Sequence, residues 1–219
     1  MTPYGVVFDL DGLLVDSERV QAMAFNEVLA PYGIRLSDVD FARLVGISTA
    51  QNFADLAAVH PRLAIDVPGI IRAKDRAYAD LVPVEMRAMP GALDLVEGLG
   101  RAGVPMAVAS SSFRADVESC LRQVGLDALL AKVSPGDEVP RTKPWPDVYL
   151  RAAGLLGLPP ARCIAMEDAA AGVQAAKAAG MRCIAVPNRY TRRHDFAAAD
   201  VVLDGLPDVT LELLESLAL

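Results

Sequence analysis

The sequence predicts an α/β protein with a doubly wound parallel sheet and a helical segment inserted after the first strand. Short apolar runs alternate with Ala- and Leu-rich stretches of helical period, and several of those stretches end in glycine. Residues 16–85 contain helical patterns but no clear strand. Because apolar strands that alternate with helices must be covered on both faces, the pattern favours a parallel sheet between two helical layers.

The elements follow in order along the chain. Five runs have strand character: YGVVFD (4–9), PMAVAS (105–110), RCIAME (162–167), RCIAVP (182–187) and DVVLD (200–204). Helical patterns lie between them at 92–103, 114–125, 146–157 and 170–181, and within the insertion at 20–32, 37–44, 50–59 and 68–81. We therefore predict a core domain formed by residues 1–15 and 86–219, and a helical domain formed by residues 16–85.

Composition limits the possible classes of function. With 219 residues, of which 53% are hydrophobic, the chain can bury a large core. It has no apolar run long enough to span a bilayer and no signal-peptide pattern, so we expect a cytoplasmic protein with no membrane partner. A net charge of −7 argues against a nucleic-acid partner. The three cysteines lack CxxC spacing, which argues against zinc, and the sequence leaves the oligomeric state open.

The first strand runs directly into acidic residues. The stretch VVFDLDGLLVDSE places Asp9 and Asp11 two residues apart, with Gly12 next. In an extended chain this spacing directs both side chains to the same side, and the glycine allows a sharp turn beside them. Crowded carboxylates repel one another and lose hydration on burial, so we expect a positive group nearby.

Polar residues also follow the other predicted strands. In an open parallel sheet, ligands bind beyond the carboxyl ends of the strands. Besides the two aspartates, this edge receives Ser110, Ser111, Ser112, Glu167, Asp168 and, from the proline-restrained loop RTKPWPD, Lys143. Carboxylates suit a hard cation such as Mg²⁺, while hydroxyl and ammonium donors suit a phosphoryl group.

Four motifs, in order, carry a family resemblance. They are DLDGLLVDSE (9–18), VASSS (108–112), TKPWPDVYL (142–150) and AMEDAAAGVQAAKAAGM (165–181). Together they resemble the four motifs of the haloacid dehalogenase-like (HAD) hydrolases, in the branch that contains β-phosphoglucomutases and small sugar phosphatases. The resemblance covers essentially the full chain. It implies a Rossmann-like core and an inserted, mobile cap domain.

The resemblance also implies roles for individual residues. Asp9 would attack phosphorus and form an aspartyl phosphate, and Asp11 would be the acid and base. Mg²⁺ would be held by the carboxylates of Asp9, Glu167 and Asp168 and by the main-chain carbonyl of Asp11. The phosphoryl group would be bound by Ser110, Ser111 and Lys143, with Gly46 of the cap and Arg114 as possible substrate contacts.

Several activities share parts of this pattern. A phosphoacceptor signalling domain would carry no such insertion, a haloacid dehalogenase needs no second acid, and a phosphonate hydrolase uses a cap lysine, whereas the first lysine of this chain is Lys74. A Ser- or Cys-based charge relay lacks support from His60 or His194. We therefore expect a Mg²⁺-dependent phosphatase that hydrolyses a small phosphorylated metabolite, a sugar phosphate. A β-phosphoglucomutase-type phosphomutase is the alternative.

Overall fold

The computed structural model describes residues 4–63 and 66–218. The predicted domains also include residues 1–3, 64–65 and 219, which lie outside the described residues. Within the described part, six strands form one parallel sheet: β1 (Gly5–Phe8), β2 (Met106–Ala109), β3 (Val133–Ser134), β4 (Cys163–Glu167), β5 (Arg182–Ala185) and β6 (Val201–Val202). Their order across the sheet is β3-β2-β1-β4-β5-β6.

This topology confirms the predicted α/β class and adds one strand. The order reverses beside β1, as in doubly wound nucleotide-binding folds, and all four residues of β1 are buried. The sequence analysis predicted five strands and was wrong to omit β3. Because β3 contains only Val133 and Ser134, it is too short to show a strand pattern, and its pairing with β2 defines it.

Helices connect and cover the strands. The α-helices are α1 (Ser17–Leu29), α2 (Asp38–Phe41), α3 (Thr49–Val59), α4 (Val67–Glu85), α5 (Ala92–Arg101), α6 (Arg114–Gln123), α7 (Asp147–Leu156), α8 (Ala170–Ala178) and α9 (Leu211–Leu217). On one face of the sheet, α7 and α8 bury Val148, Tyr149 and Val173 against residues of β1, β2, β4 and β5. Their small alanines allow the helices to approach the sheet closely.

The chain divides into two compact units. The first contains the residues up to Asp16 and those from Arg87 onward, and the second runs from Ser17 to Met86. In the first unit, backbone hydrogen bonds join its two segments: Asp16 N–H donates to the Arg87 carbonyl at 2.9 Å, and Met89 N–H to the Leu14 carbonyl at 2.9 Å. The sheet and the helices α5 to α9 belong to this unit.

The second unit is built from the helices α1 to α4. Its core includes Phe25, whose ring stacks on Phe53 at a centroid distance of 4.9 Å and meets Phe41 edge-on at 5.8 Å. That this unit acts as a cap stays a prediction. Among the described residues, none of the helices has the length and apolar character that crossing a membrane requires.

Candidate active site

Two neighbouring strands bring two carboxylates together. Asp9 follows β1, and its N–H donates to the carbonyl of Met166 on β4 at 2.9 Å. Glu167 is the last residue of β4. Both side chains are almost fully buried. The parallel pairing of β1 with β4 therefore places both acids at the carboxyl edge of the sheet.

The ammonium of Lys143 joins these two acids. Its Nζ donates to Oδ1 of Asp9 and, at 2.6 Å, to Oε1 of Glu167. The hydroxyl of Tyr149, a fully buried residue of α7, donates to the same Glu167 oxygen at 2.5 Å. The Tyr149 ring also lies under the ammonium, with Nζ 5.2 Å from its centroid. The lysine side chain is thus fixed by three partners.

Burial sets the electrostatics of this cluster. Burial raises the pKa of Asp9 well above its ordinary value; Lys143 opposes the rise, and Glu167 and Asp11 add to it. Burial alone would lower the pKa of Lys143, but Asp9 and Glu167 outweigh it, so the pKa is raised and the side chain stays an ammonium. Burial, with Glu167 next in importance, also raises the pKa of Tyr149, so its hydroxyl stays a donor.

Asp168 completes a group of three buried carboxylates. One ligand oxygen each from Asp9, Glu167 and Asp168 lies within 4.8 Å of the others. Asp168 Oδ2 accepts a hydrogen bond of 2.8 Å from Nδ2 of Asn188, which follows β5. Asp9 comes from the end of β1, Glu167 and Asp168 come from the end of β4, and Asn188 from the segment after β5 orients Asp168.

The residue Asp11 is held by hydroxyls from the end of β2. Its Oδ2 accepts hydrogen bonds from Ser112 Oγ at 2.8 Å and from Ser110 Oγ at 3.2 Å. Ser110 Oγ in turn accepts from the Ser112 N–H at 3.0 Å, while the Ser110 N–H donates to the Ser134 carbonyl at 3.1 Å. The neighbouring strand β3, which the sequence did not reveal, thus anchors this serine turn.

Three predicted site residues lie elsewhere or have other contacts. Ser111 is exposed beside the two bonded serines. Gly46 is exposed between α2 and α3 of the second unit, with a φ of +85°. The guanidinium of Arg114 is bound to Glu138, to Glu118 at 3.0 Å and to the Val133 carbonyl at 3.2 Å. Substrate contact by Gly46 or Arg114 stays a prediction, and for Arg114 it would compete with these bonds.

The sequence analysis placed Ser112 at the sheet edge without an individual role, and it did not identify Tyr149 or Asn188 as site residues. Ser112 lies two residues from Ser110, and this spacing was a usable signal. Asn188 directly follows the strand-like run RCIAVP (182–187). The rule that ligand-binding residues follow the carboxyl ends of parallel strands therefore also points to Asn188. Tyr149 gave no such signal, because an aromatic residue on the apolar face of a helix looks like core.

The donor set fits a hard divalent cation. Three buried carboxylates with closely spaced oxygens are the ligands that Mg²⁺ prefers. The raised pKa of Asp9 shows that Lys143 alone does not offset the cost of burying its charge. An additional positive charge at this point would lower that cost, so the residues present fit Mg²⁺.

A doubly wound parallel sheet with three buried carboxylates and a lysine at its carboxyl edge is typical of a phosphoryl-transfer enzyme, and comparison with known proteins identifies the family. The family model for haloacid dehalogenase-like hydrolases matches residues 6–186. Protein CbbY of Rhodobacter capsulatus is 34% identical over 206 residues, which cover 89% of this chain and 90% of CbbY. Fructose-1-phosphate phosphatase YqaB of Escherichia coli is 32% identical over 183 residues, covering 83% of this chain and 95% of YqaB.

A solved structure extends the likeness. A mutant of CbbY from Rhodobacter sphaeroides in complex with xylulose 1,5-bisphosphate superimposes with a TM-score of 0.78 at 32% identity, covering 94% of this chain and 95% of that one. The chain belongs to the haloacid dehalogenase-like hydrolases, in the sugar-phosphatase-like branch. The predicted family and the predicted enzyme class, a phosphoric monoester hydrolase, are confirmed.

Proposed function

We propose that this chain is a Mg²⁺-dependent phosphatase that hydrolyses a small sugar phosphate through an aspartyl phosphate on Asp9. One observation carries the proposal: the buried Asp9 carboxylate contacts Lys143 at the sheet edge, while Asp11, two residues away, is held by two serine hydroxyls. A nucleophile, a cationic partner and a separately positioned acid are the groups that a two-step phosphoryl transfer requires.

The first step transfers the phosphoryl group to the protein. A carboxylate oxygen of Asp9 bonds to phosphorus while the bond from phosphorus to the sugar oxygen breaks. Asp11 gives its proton to that leaving oxygen. Because Oδ2 of Asp11 accepts both serine hydroxyls, we assign the transferable proton to Oδ1. Lys143 supplies donors to the equatorial phosphoryl oxygens, and so does Ser111, because the hydroxyls of Ser110 and Ser112 are donated to Asp11.

The second step regenerates Asp9. Asp11, now a carboxylate, takes a proton from a water molecule whose oxygen attacks phosphorus. The bond between phosphorus and Asp9 breaks, and inorganic phosphate leaves. The hydrogen bonds from Ser110 and Ser112 keep Asp11 oriented in both steps. Tyr149 keeps Glu167 and Lys143 in place without contacting the phosphoryl group.

Mg²⁺ would be held by Asp9, Glu167, Asp168 and the main-chain carbonyl of Asp11. When bound, it supplies positive charge that offsets the repulsion between the phosphoryl oxygens and the Asp9 carboxylate. The close approach of the three carboxylate oxygens supports this assignment. We also assign the second unit, Ser17–Met86, the role of a cap that excludes water and selects the leaving group, with Gly46 among its substrate contacts.

The named relatives support a sugar phosphate as the substrate. YqaB is a fructose-1-phosphate phosphatase, and CbbY has been solved with xylulose 1,5-bisphosphate. Both molecules are small phosphorylated sugars. We therefore propose that this chain removes phosphate from a compound of that size, and that the core described above performs the chemistry while the second unit sets the choice of sugar.

A phosphate-release assay tests the proposal. Purified protein is given Mg²⁺ and a panel of sugar phosphates that includes fructose 1-phosphate, xylulose 1,5-bisphosphate and β-glucose 1-phosphate with a trace of the 1,6-bisphosphate. Free phosphate and glucose 6-phosphate are followed separately. We expect phosphate release from at least one sugar, absent in Asp9→Asn. Rapid formation of glucose 6-phosphate with negligible phosphate release would instead assign the phosphomutase activity.

A further inference from the structure

The side chain of Asn188 connects the two chain segments that border the carboxylate cluster. Its Nδ2 donates to Oδ2 of Asp168 at 2.8 Å and to the carbonyl of Gly12 at 3.0 Å. We propose that Asn188 is a positioning residue that fixes the Asp168 carboxylate and the turn after Asp11 in the arrangement that binds Mg²⁺. This inference rests on the metal site of the proposed function.

The orientation of the amide is determined by its other contacts. Oδ1 of Asn188 accepts the N–H of Tyr190 at 2.8 Å, and the Asn188 N–H donates to Oγ1 of Thr191 at 3.0 Å. Because Oδ1 faces a backbone donor, Nδ2 must face the two acceptors, Asp168 and Gly12. The side chain therefore links its own turn, through Oδ1, to Asp168 and the Gly12 backbone, through Nδ2.

The glycine at position 12 allows Asn188 and Asp168 to approach the turn closely. Gly12 has a φ of +84°, and a Cβ at this position would lie 2.5 Å from Asp168 Oδ2 and 2.6 Å from Asn188 Nδ2. No side chain fits there. The backbone at Gly12, the carboxylate and the amide are thus packed against one another, and the amide is the donor that two oxygen acceptors share.

The consequence concerns metal affinity. Asp168 supplies a carboxylate, and the residue before Gly12 supplies the carbonyl that we assign to the ion. A group that orients ligands from outside commonly changes metal affinity by about 10- to 100-fold. Without the amide, Asp168 gains rotational freedom and the turn at Gly12 loses a restraint. We expect a loss of Mg²⁺ affinity in that range.

Two variants remove the amide with different effects on the turn. Asn188→Ala removes all side-chain contacts, whereas Asn188→Ser keeps a short acceptor for the Tyr190 N–H but cannot reach Asp168. Asn188 also borders a cavity of about 300 Å³, so water can hydrate groups that truncation leaves exposed. The matched control is Thr191→Val, which alters the same turn by removing Oγ1 but keeps the amide.

The test measures Mg²⁺ binding directly. Metal-free wild type and the three variants are titrated with MgCl₂ by calorimetry in phosphate-free buffer, and their melting temperatures are recorded in chelator. We expect Asn188→Ser and Asn188→Ala to bind Mg²⁺ about 10- to 100-fold more weakly, Thr191→Val to bind as wild type, and raised Mg²⁺ to restore kcat of both Asn188 variants.

The outcomes separate this inference from the proposed function. If wild type binds Mg²⁺ and a folded Asn188→Ser protein binds it equally well, the positioning role is wrong while the phosphatase proposal stands. If Thr191→Val loses as much affinity as Asn188→Ser, the effect belongs to the turn and the role of the amide is overturned. If wild type binds no Mg²⁺ and stays active in chelator, the proposed metal site and this inference both fail.

Discussion

The hydroxyl of Tyr149 donates a 2.5 Å hydrogen bond to Oε1 of Glu167, the same oxygen that accepts Lys143. The tyrosine is fully buried in α7, and Glu167 is 1% exposed. A hydrogen bond to a buried carboxylate is stronger than one between neutral groups. The helix α7, which follows the lysine loop, therefore supports the site from the face of the sheet against which it packs.

Replacement of Tyr149 by phenylalanine removes one donor and leaves the ring. We expect the free energy of unfolding to fall by about 1–3 kcal/mol, because Glu167 loses a buried hydrogen-bond donor. We also expect kcat/KM to fall by about tenfold, because Lys143 shares the affected oxygen. Denaturant unfolding and steady-state kinetics measure the two effects.

Tyr32→Phe is the control for Tyr149→Phe, since Tyr32 lies in the second unit, outside the carboxylate cluster. Its kinetics should match those of wild type. If Tyr149→Phe were equally active and equally stable, the hydroxyl would have no supporting role.

Chelation tests the need for a cation. Exhaustive treatment with EDTA should abolish phosphate release, and added Mg²⁺ should restore it, because burial disfavours the charge on Asp9 and neighbouring carboxylates add to this. Binding to the folded state should also raise the melting temperature with Mg²⁺ concentration. Full activity in chelator, with no response to Mg²⁺, would show that the three carboxylates do not serve as a metal site.

The two serines on Asp11 should act as one unit. Ser112→Ala and Ser110→Ala each remove a hydroxyl from Oδ2 of Asp11, so each should lower kcat by about tenfold. Because both hydroxyls orient the same oxygen, the double variant should lose less than the two effects combined. Ser216→Ala, in the helix α9, serves as the control. Fully additive losses would mean that the serines act independently.

Much of this site can be predicted from the sequence, because the ends of the apolar strands can be recognised there. An apolar strand that stops at Asp9 or Glu167 predicts the edge at which a parallel sheet collects its polar groups. The hydrogen-bond partners of Arg114 could not be predicted in this way. Its partners Glu138 and Val133 lie about 20 residues further along the chain, and only folding brings them together.

The strand β3 and Tyr149 were missed for related reasons. A two-residue strand has no periodicity, and its existence depends on pairing with β2. Tyr149 satisfies the helical pattern of a core residue, while its hydroxyl contact depends on the position of β4. Local patterns specify which elements form, whereas contacts between elements decide which polar atoms meet.

A covalent phosphoryl group at Asp9 is the central feature of the proposed mechanism. The direct measurement is rapid-quench single turnover with a substrate labelled in its phosphoryl group, followed by peptide mapping of the protein. We predict transient label on the peptide that contains Asp9, formed before free phosphate and absent in Asp9→Asn, which should retain the fold and lose at least about 10³-fold in kcat. Phosphate release at the wild-type single-turnover rate with no label on the protein, or near wild-type turnover by Asp9→Asn, would contradict the account.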